Sequence, residues 1–294
     1  MTQKAKPDKT FELKKEGFIL SVFICPICKE KLDRTDTVYL CPNHHSYDIS
    51  AEGYVHLLPP NKMHAKIPGD NKQMVNSRRD FLATGLYQPF SDKLNELVYE
   101  SIADSVAPIV IDAGCGEGYY TARLQNYFAK NDCKAVLAGF DISKFAVKAA
   151  AKRYKNTEFA VASMFDIPIA DASADVLYAI FSPIVPGEFA RVLKPGGTLI
   201  LAVPGERHLY GMKEILYENP YENEYKETIY EGFAFCKRVP VWGEIHMDSP
   251  KTIANLFAMT PYYWKTSIAG SERLKETKEL HTEIEFDFLV YRKD

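Results

Sequence analysis

Ile111-Asp112-Ala113-Gly114-Cys115-Gly116-Glu117-Gly118 is the stretch that decides the fold. A short apolar run at 109–112 enters it as a strand would, and residues 119–130 leave it with helical spacing of apolar positions. Glycines in such a turn let the backbone come close to a ligand, while the helix that follows offers free N–H groups. The spacing is Gly114-x-Gly116-x-Gly118. A dinucleotide fingerprint needs its third glycine one place later, where this chain has Tyr119, and this argues against a nicotinamide cofactor.

Working outward, strand patterns recur at 136–141, 158–162, 175–181 and 198–203, with helical patterns at 144–154 and 186–193 between them. Such alternation predicts an α/β fold with a mostly parallel sheet and helices on both faces. Asp141 closes the second strand twenty-three residues past Gly118, in position to accept hydrogen bonds from a ribose diol. Leu193-Lys194-Pro195-Gly196-Gly197 stands before the fifth strand. Residues 72–105 read as helices. After Pro204 the pattern loosens: 208–232 is polar, tyrosine-rich and expected to be helical, and 283–291 alternates like a strand.

Upstream lies a different motif. Cys25 and Cys28 form a Cys-x2-Cys pair, twelve residues follow, and Cys41 and His45 complete a Cys-x3-His pair. These are soft ligands at a spacing suited to tetrahedral Zn²⁺, and with all four positions filled the expected role is structural. A redox Cys-x-x-Cys would not need Cys41 and His45. His44 competes with His45 as fourth ligand, and His56 is expected on the surface of the module. The chain divides accordingly into a polar extension (1–20), a small β-rich zinc ribbon (21–60), a linker with helices (61–105) and the α/β domain (106–294).

The 294 residues are 46% apolar and 26% charged, an ordinary globular composition. No apolar run reaches membrane-spanning length, and the first residues lack signal-peptide architecture. Six cysteines without a pairing pattern imply a reducing compartment, the cytoplasm by default. A net charge of −3 excludes an indiscriminate polyanion binder. Locally, Lys62, Lys66, Lys72, Arg78 and Arg79 face only Asp70, a stretch that serves either a solvated surface or an RNA contact.

At the glycine loop, Asp141 and the Pro-Gly-Gly turn, the chain resembles class I S-adenosylmethionine methyltransferases over roughly residues 110–203. The resemblance implies that the loop, with Asp112, Gly114, Gly116 and Gly118, holds the amino-acid end of the cofactor. It also implies that Asp141 holds the ribose and that Ser163 and Met164 flank the adenine. Many members carry an acid where Ser163 stands.

The ordered segments C-P-I-C, C-P-N-H-H-S-Y-D, E-G-Y-V-H-L-L-P, G-L-Y-Q-P, P-G-E-R-H-L and M-T-P-Y-Y-W extend the likeness. From about residue 25 to 264 the chain closely resembles 23S rRNA guanine-N1 methyltransferases of the RlmA type. That family implies a ribbon that reads RNA, one structural Zn²⁺ per chain on Cys25, Cys28, Cys41 and His45, and a homodimer around a 23S rRNA hairpin. It implies methylation of N1 of a loop guanine, with no DNA or membrane partner. By position Tyr87, Gly116, Glu117 and His208 match places associated with the cofactor. One departure is His56, where asparagine is common.

Read without the resemblance, Tyr87 is a core aromatic, His208 caps or starts a helix, and Arg78 and Arg79 clamp the linker. Residues 182–184 are expected to line the acceptor pocket and Glu188 to pair with Arg191; no general base stands out. The competing classes are a small-molecule methyltransferase with a structural zinc module and a non-enzymatic RNA-binding scaffold.

Overall fold

The computed structural model describes residues 19–63, 65, 68–155, 157–225 and 228–294. The extension expected at 1–20 lies outside them up to residue 18, as does Lys66 of the basic stretch. In chain order, β1 (Ile19–Ile24), β2 (Lys31–Arg34), β3 (Val38–Leu40) and β4 (Ser46–Asp48) form a four-stranded antiparallel sheet. β5 (Val55–His56), α1 (Lys72–Leu82), α2 (Gln88–Ser101), β6 (Ile109–Ala113), α3 (Tyr119–Lys130), β7 (Val136–Asp141), α4 (Lys144–Arg153) and β8 (Glu158–Val161) follow. Then come β9 (Ala174–Ile180), α5 (Pro186–Val192), β10 (Leu193–Pro204), α6 (Tyr210–Leu216) and β11 (Phe233–Met247). The chain closes with α7 (Pro250–Ala258), α8 (Tyr262–Lys265), α9 (Ile268–Glu276) and β12 (Leu280–Lys293).

Among the described residues eight strands make the large sheet, in the order β11-β12-β10-β9-β6-β7-β8-β5. Strands β5 to β10 in it run parallel, and β12 and β11 pair antiparallel at one edge. The order reverses between β6 and β9, so the crevice beyond the carboxyl end of β6 is where an open α/β sheet receives a ligand. β6 is buried on both faces, which is why it reads as a continuous apolar run. Val110 points into a core with Leu124 and Phe128, while Ile111 points the other way, into a core with Phe140 and Phe189.

That second core also contains Phe23, Leu32 and Tyr39 of the small sheet. The ribbon therefore covers part of one face of the large sheet, where helices alone were expected. Polar contacts fix its placement. Ser21 Oγ and Tyr39 Oη donate to the Glu158 carboxylate at 2.7 and 2.9 Å, and the Ile24 amide donates to the Pro168 carbonyl at 2.9 Å. Lys29 and Lys62 both pair with Asp166 at 2.6 Å. β5 stays bridged to the ribbon, Val55 opposite Ile49, and also extends the large sheet, Val55 opposite Ala160. His56 is exposed, as expected, on this strand, which joins the ribbon to the edge of the large sheet.

Among the described residues of the segment expected to be helical over 208–232, only α6 is helical. Glu218-Asn219-Pro220 follows, and a residue before proline disfavours the helical region. Beyond it the chain is open, held partly by Lys213 Nζ donating to the Tyr221 carbonyl and Asn223 Oδ1, both at 2.9 Å. β11 has no counterpart in the sequence reading. Pro240 in its middle argues against a strand, yet this is the edge of the sheet, where a missing N–H costs no ladder bond.

Phe23 is 1% exposed and joins the two sheets. Phe23→Ala is expected to cost about 3–5 kcal/mol, read as a lower midpoint in urea unfolding; a loss under about 1 kcal/mol would mean that the ribbon is not a cover for the sheet.

Candidate functional site

The glycine loop begins where β6 ends, and its shape follows from close packing. Gly114 has φ +85°, and a Cβ there would meet Ser182 Cβ at 2.7 Å. Gly118, at φ +83°, caps α3, and a Cβ there would fall 2.9 Å from Ala150 Cβ. Both positions combine left-handed backbone with no room for a side chain, so only glycine fits. Gly118 offers α3 no side-chain cap, and the first helical amide, that of Tyr119, bonds instead to the Glu117 carboxylate.

Asp141 reaches this loop from the end of β7. One carboxylate oxygen accepts from the Gly116 amide at 3.0 Å and the other from the Ser143 amide at 2.7 Å. Each oxygen keeps a lone pair, enough for a diol. Burial raises its pKa, opposed by those two N–H groups and by Arg78. Arg78 in turn pairs with Asp70, which is the linker clamp read as the plain alternative for this arginine. Met164 is buried with its Cε 3.4 Å from the position a Gly114 Cβ would take. Ser163 Oγ is turned into its own bend, accepting from the Phe165 amide at 3.1 Å.

Two acids behave differently from Asp141. Asp112 is 2% exposed and accepts from Thr121 Oγ1 at 2.6 Å and Tyr178 Oη at 2.9 Å. Burial pushes its pKa up to about 7 against those two hydroxyls. It locks β6 to α3 and β9, and its contacts run beneath the loop. Glu117 is also buried and raised by burial, with Arg78 opposing and the Tyr119 amide bonding to its carboxylate.

Tyr87 and His208 come together from distant parts of the chain. Their rings lie 6.3 Å apart, and both pack on Phe286. Tyr87 is 1% exposed, and its hydroxyl is one of three buried polar side-chain atoms without a partner among the described residues. A buried orphan hydroxyl is costly unless a ligand completes it. His208 Nδ1 accepts from the Glu285 amide at 3.3 Å. Burial, reinforced by Lys213, lowers its pKa to about 3, so the ring is neutral with its proton on Nε2.

Phe181, which the sequence reading passed over, stacks on His208 at 6.1 Å and is 48% exposed. It holds φ +49° at the end of β9, a strained state for an aromatic residue, and such strain concentrates at functional sites. No sequence signal marks it. The next residue, Ser182, donates to the Ala113 carbonyl at 3.0 Å, so the expected acceptor segment 182–184 does border the loop. Glu188 pairs with Arg191 at 2.7 Å, as its spacing predicted.

In the ribbon, one donor atom from each of Cys25, Cys28, Cys41 and His45 lies within 4.8 Å of the others. Cys28 and Cys41 sulfurs are 3.6 Å apart, and His45 Nδ1 is 3.5 and 3.3 Å from Cys25 and Cys41. A tetrahedron with Zn–S bonds of about 2.3 Å has edges of roughly 3.8 Å, shorter for nitrogen, so the donors fit Zn²⁺. His44 is exposed at φ +65° and outside the cluster. Tyr47 Oη, 3.0 Å from Cys25 Sγ, adds a second-layer hydrogen bond that the sequence did not disclose.

Sheet order, the glycine turn and an acid at the β7 end together define a class I S-adenosylmethionine-dependent methyltransferase carrying a zinc ribbon. Residues 105–280 match the model of a methyltransferase domain and residues 23–66 that of the RlmA N-terminal zinc ribbon. The chain belongs to this methyltransferase-domain family. It is 33% identical over 193 residues to a Streptomyces fradiae 23S rRNA (guanine(748)-N(1))-methyltransferase, covering 65% of this chain and 66% of that one. A Micromonospora griseorubida protein provisionally named a 23S rRNA (guanine-N(1)-)-methyltransferase is 34% identical, over 63% of this chain and 66% of its own length. A Bacillus subtilis protein with the same provisional name is 28% identical over 92% of this chain and 96% of its own.

Replacing Asp141 with Ala is expected to weaken S-adenosylmethionine binding at least about tenfold, or 1.4 kcal/mol; unchanged affinity by calorimetry would remove Asp141 from the ribose role. His208 adds an acid-sensitive term. Its folded pKa lies below the unfolded 6.5, so the stability it contributes is present above pH 6.5 and lost as pH falls toward 3. Between pH 6.5 and 4.5 the wild type should lose about 2–3 kcal/mol more than His208→Asn, whose side chain can still accept from Glu285. Parallel stability curves for the two proteins would show that His208 is not held neutral.

Proposed function

We propose that this protein methylates N1 of an unpaired guanine in a 23S rRNA hairpin, using S-adenosylmethionine. The observation that carries the reading is the fusion of the ribbon to the methyltransferase sheet through one buried core and the β5–β8 pairing. A fixed ribbon beside the cofactor crevice can hold an RNA stem while a loop base enters the site, an arrangement a small-molecule enzyme would not need. The names of the matched relatives support the same substrate.

S-adenosylmethionine, when bound, supplies an electrophilic methyl group together with its own leaving group. The residues proposed to hold it are Tyr87, Asp112, Gly114, Gly116, Glu117, Gly118, Asp141, Ser163, Met164 and His208. Within that set the structure supports different duties. The loop glycines allow close backbone approach, Asp141 offers a direct polar contact, the Tyr87 hydroxyl awaits a partner, and Asp112 and Glu117 shape the loop from below. Cys25, Cys28, Cys41 and His45 hold the structural zinc ion. The ribbon at 21–60, the linker and helices at 61–105 and the catalytic domain at 106–294 are the working divisions.

Guanine N1 carries a proton and lies on the Watson–Crick edge, so the base must be unpaired and presented. Orientation, with exclusion of water, is the main contribution asked of the protein. The exposed face of Phe181 and residues 182–184 border the acceptor side. The protein acts in the cytoplasm as a homodimer, its ribbons contacting the RNA backbone. No helix among the described residues is long and apolar enough to cross a membrane.

The test is incubation of purified protein with labelled S-adenosylmethionine and naked 23S rRNA, followed by reverse transcription. A new stop at one loop guanine is the expected result, because N1 methylation blocks pairing. Label without a stop would mean another atom or base; no label, with cofactor bound, would favour a small-molecule acceptor.

A further inference from the structure

We propose that His246, Glu279 and His281 form a second metal site, solvent-facing and separate from the ribbon, for a divalent transition-metal ion. It lies on β11 and β12, whose pairing sets His246 directly opposite His281. The flanking pairs, Ile245 with Thr282 and Met247 with Leu280, are all buried. Side chains alternate along a strand, so burial of these neighbours on one face turns both imidazoles to the other. The two rings are therefore held together before any ligand arrives. Their centroids are 4.0 Å apart and their Nδ1 atoms 3.3 Å apart.

Glu279, one residue ahead of β12, completes the group. Its Oε1 lies 3.3 Å from Nε2 of His246 and 3.3 Å from Nε2 of His281. Metal–nitrogen and metal–oxygen bonds of about 2.0–2.1 Å give a tetrahedral edge of roughly 3.3–3.4 Å. The carboxylate already stands at that distance from both rings. Two imidazole donors and one carboxylate select zinc, nickel or copper over magnesium or calcium, which take oxygen donors.

The surroundings suit a cation. The adjoining cleft is lined by Glu214, Glu244 and Glu283, of which Glu283 is paired with Arg207. Three protein ligands leave a coordination position open toward that cleft, for water or an outside donor. The site also ties into the cofactor region: Gly211 of α6 packs so tightly that a Cβ there would come 2.2 Å from the His281 carbonyl, and α6 begins two residues after His208. An ion here would fasten the outer end of the β11–β12 ribbon beside the helix that follows His208.

The experiment uses the full-length, untagged protein, equilibrated with about micromolar free Zn²⁺ and measured for metal per chain by mass spectrometry. The expected result is two zinc ions per chain in the wild type and one in His246→Gln/His281→Gln. The ion retained in the variant reports an intact ribbon, and cofactor binding serves as a second check of folding. Ni²⁺ should raise the melting temperature of the wild type but not of this variant, and Glu279→Gln should weaken binding about tenfold. One zinc ion per chain in both proteins, with no Ni²⁺ shift in either, would overturn the proposal and leave the two rings as a stacked surface pair.

Discussion

Everything in this molecule leans on the apolar contact between the ribbon and one face of the large sheet. A module of four short strands cannot bury enough surface to fold by its own core, and structural metals usually supply what such units lack. Here the ribbon has a second source of stability, because Phe23, Leu32 and Tyr39 share a core with Ile111, Leu177 and Phe189. The dependence runs in both directions. Without the ribbon, the apolar side chains of the sheet that Phe23, Leu32 and Tyr39 cover would be exposed.

The crevice above β6 is organised by burial more than by charge. Asp112 and Glu117 are shifted toward their neutral forms, as is His208, in each case chiefly because the protein removes water from them. The amides of Gly114, Cys115, Gly116 and Gly118 are taken up within the protein, and the Asp141 carboxylate and the partnerless Tyr87 hydroxyl supply polarity that a ligand can meet. Around them Tyr87, Phe90, Phe181 and Phe286 form an aromatic wall that also contains His208. Such a site orients its ligands through fixed dipoles and shape, and little has to move when they arrive.

How much of this was legible in the sequence follows from how local each feature is. The glycine loop, Asp141 and the strand–helix alternation from 109 to 203 were readable because each rests on neighbours a few residues away. The same holds for Cys25, Cys28, Cys41 and His45, whose spacing encodes a knuckle. Features assembled over long distances were hidden. Phe181 looks like the end of an apolar strand, and its left-handed backbone has no sequence mark. That Val55 and His56 pair with β8 as well as adjoining the ribbon has no local mark. β11 was lost because Pro240 and alternating polar residues conceal an edge strand, and among the described residues of 208–232 the expected helix is confined to α6, ahead of Pro220.

The contact between Ser21 and Glu158 spans 137 positions of sequence. During synthesis the ribbon leaves the ribosome well before β8 exists, at about 5–20 residues per second. For that interval its apolar face has no sheet to rest on, and metal ligation is the only closure open to it. Zinc supply would then act on the yield of folded protein during translation, and not only on the finished molecule. A shortage would expose a nascent chain with an uncovered apolar face to chaperones and proteases while the catalytic domain was still being made.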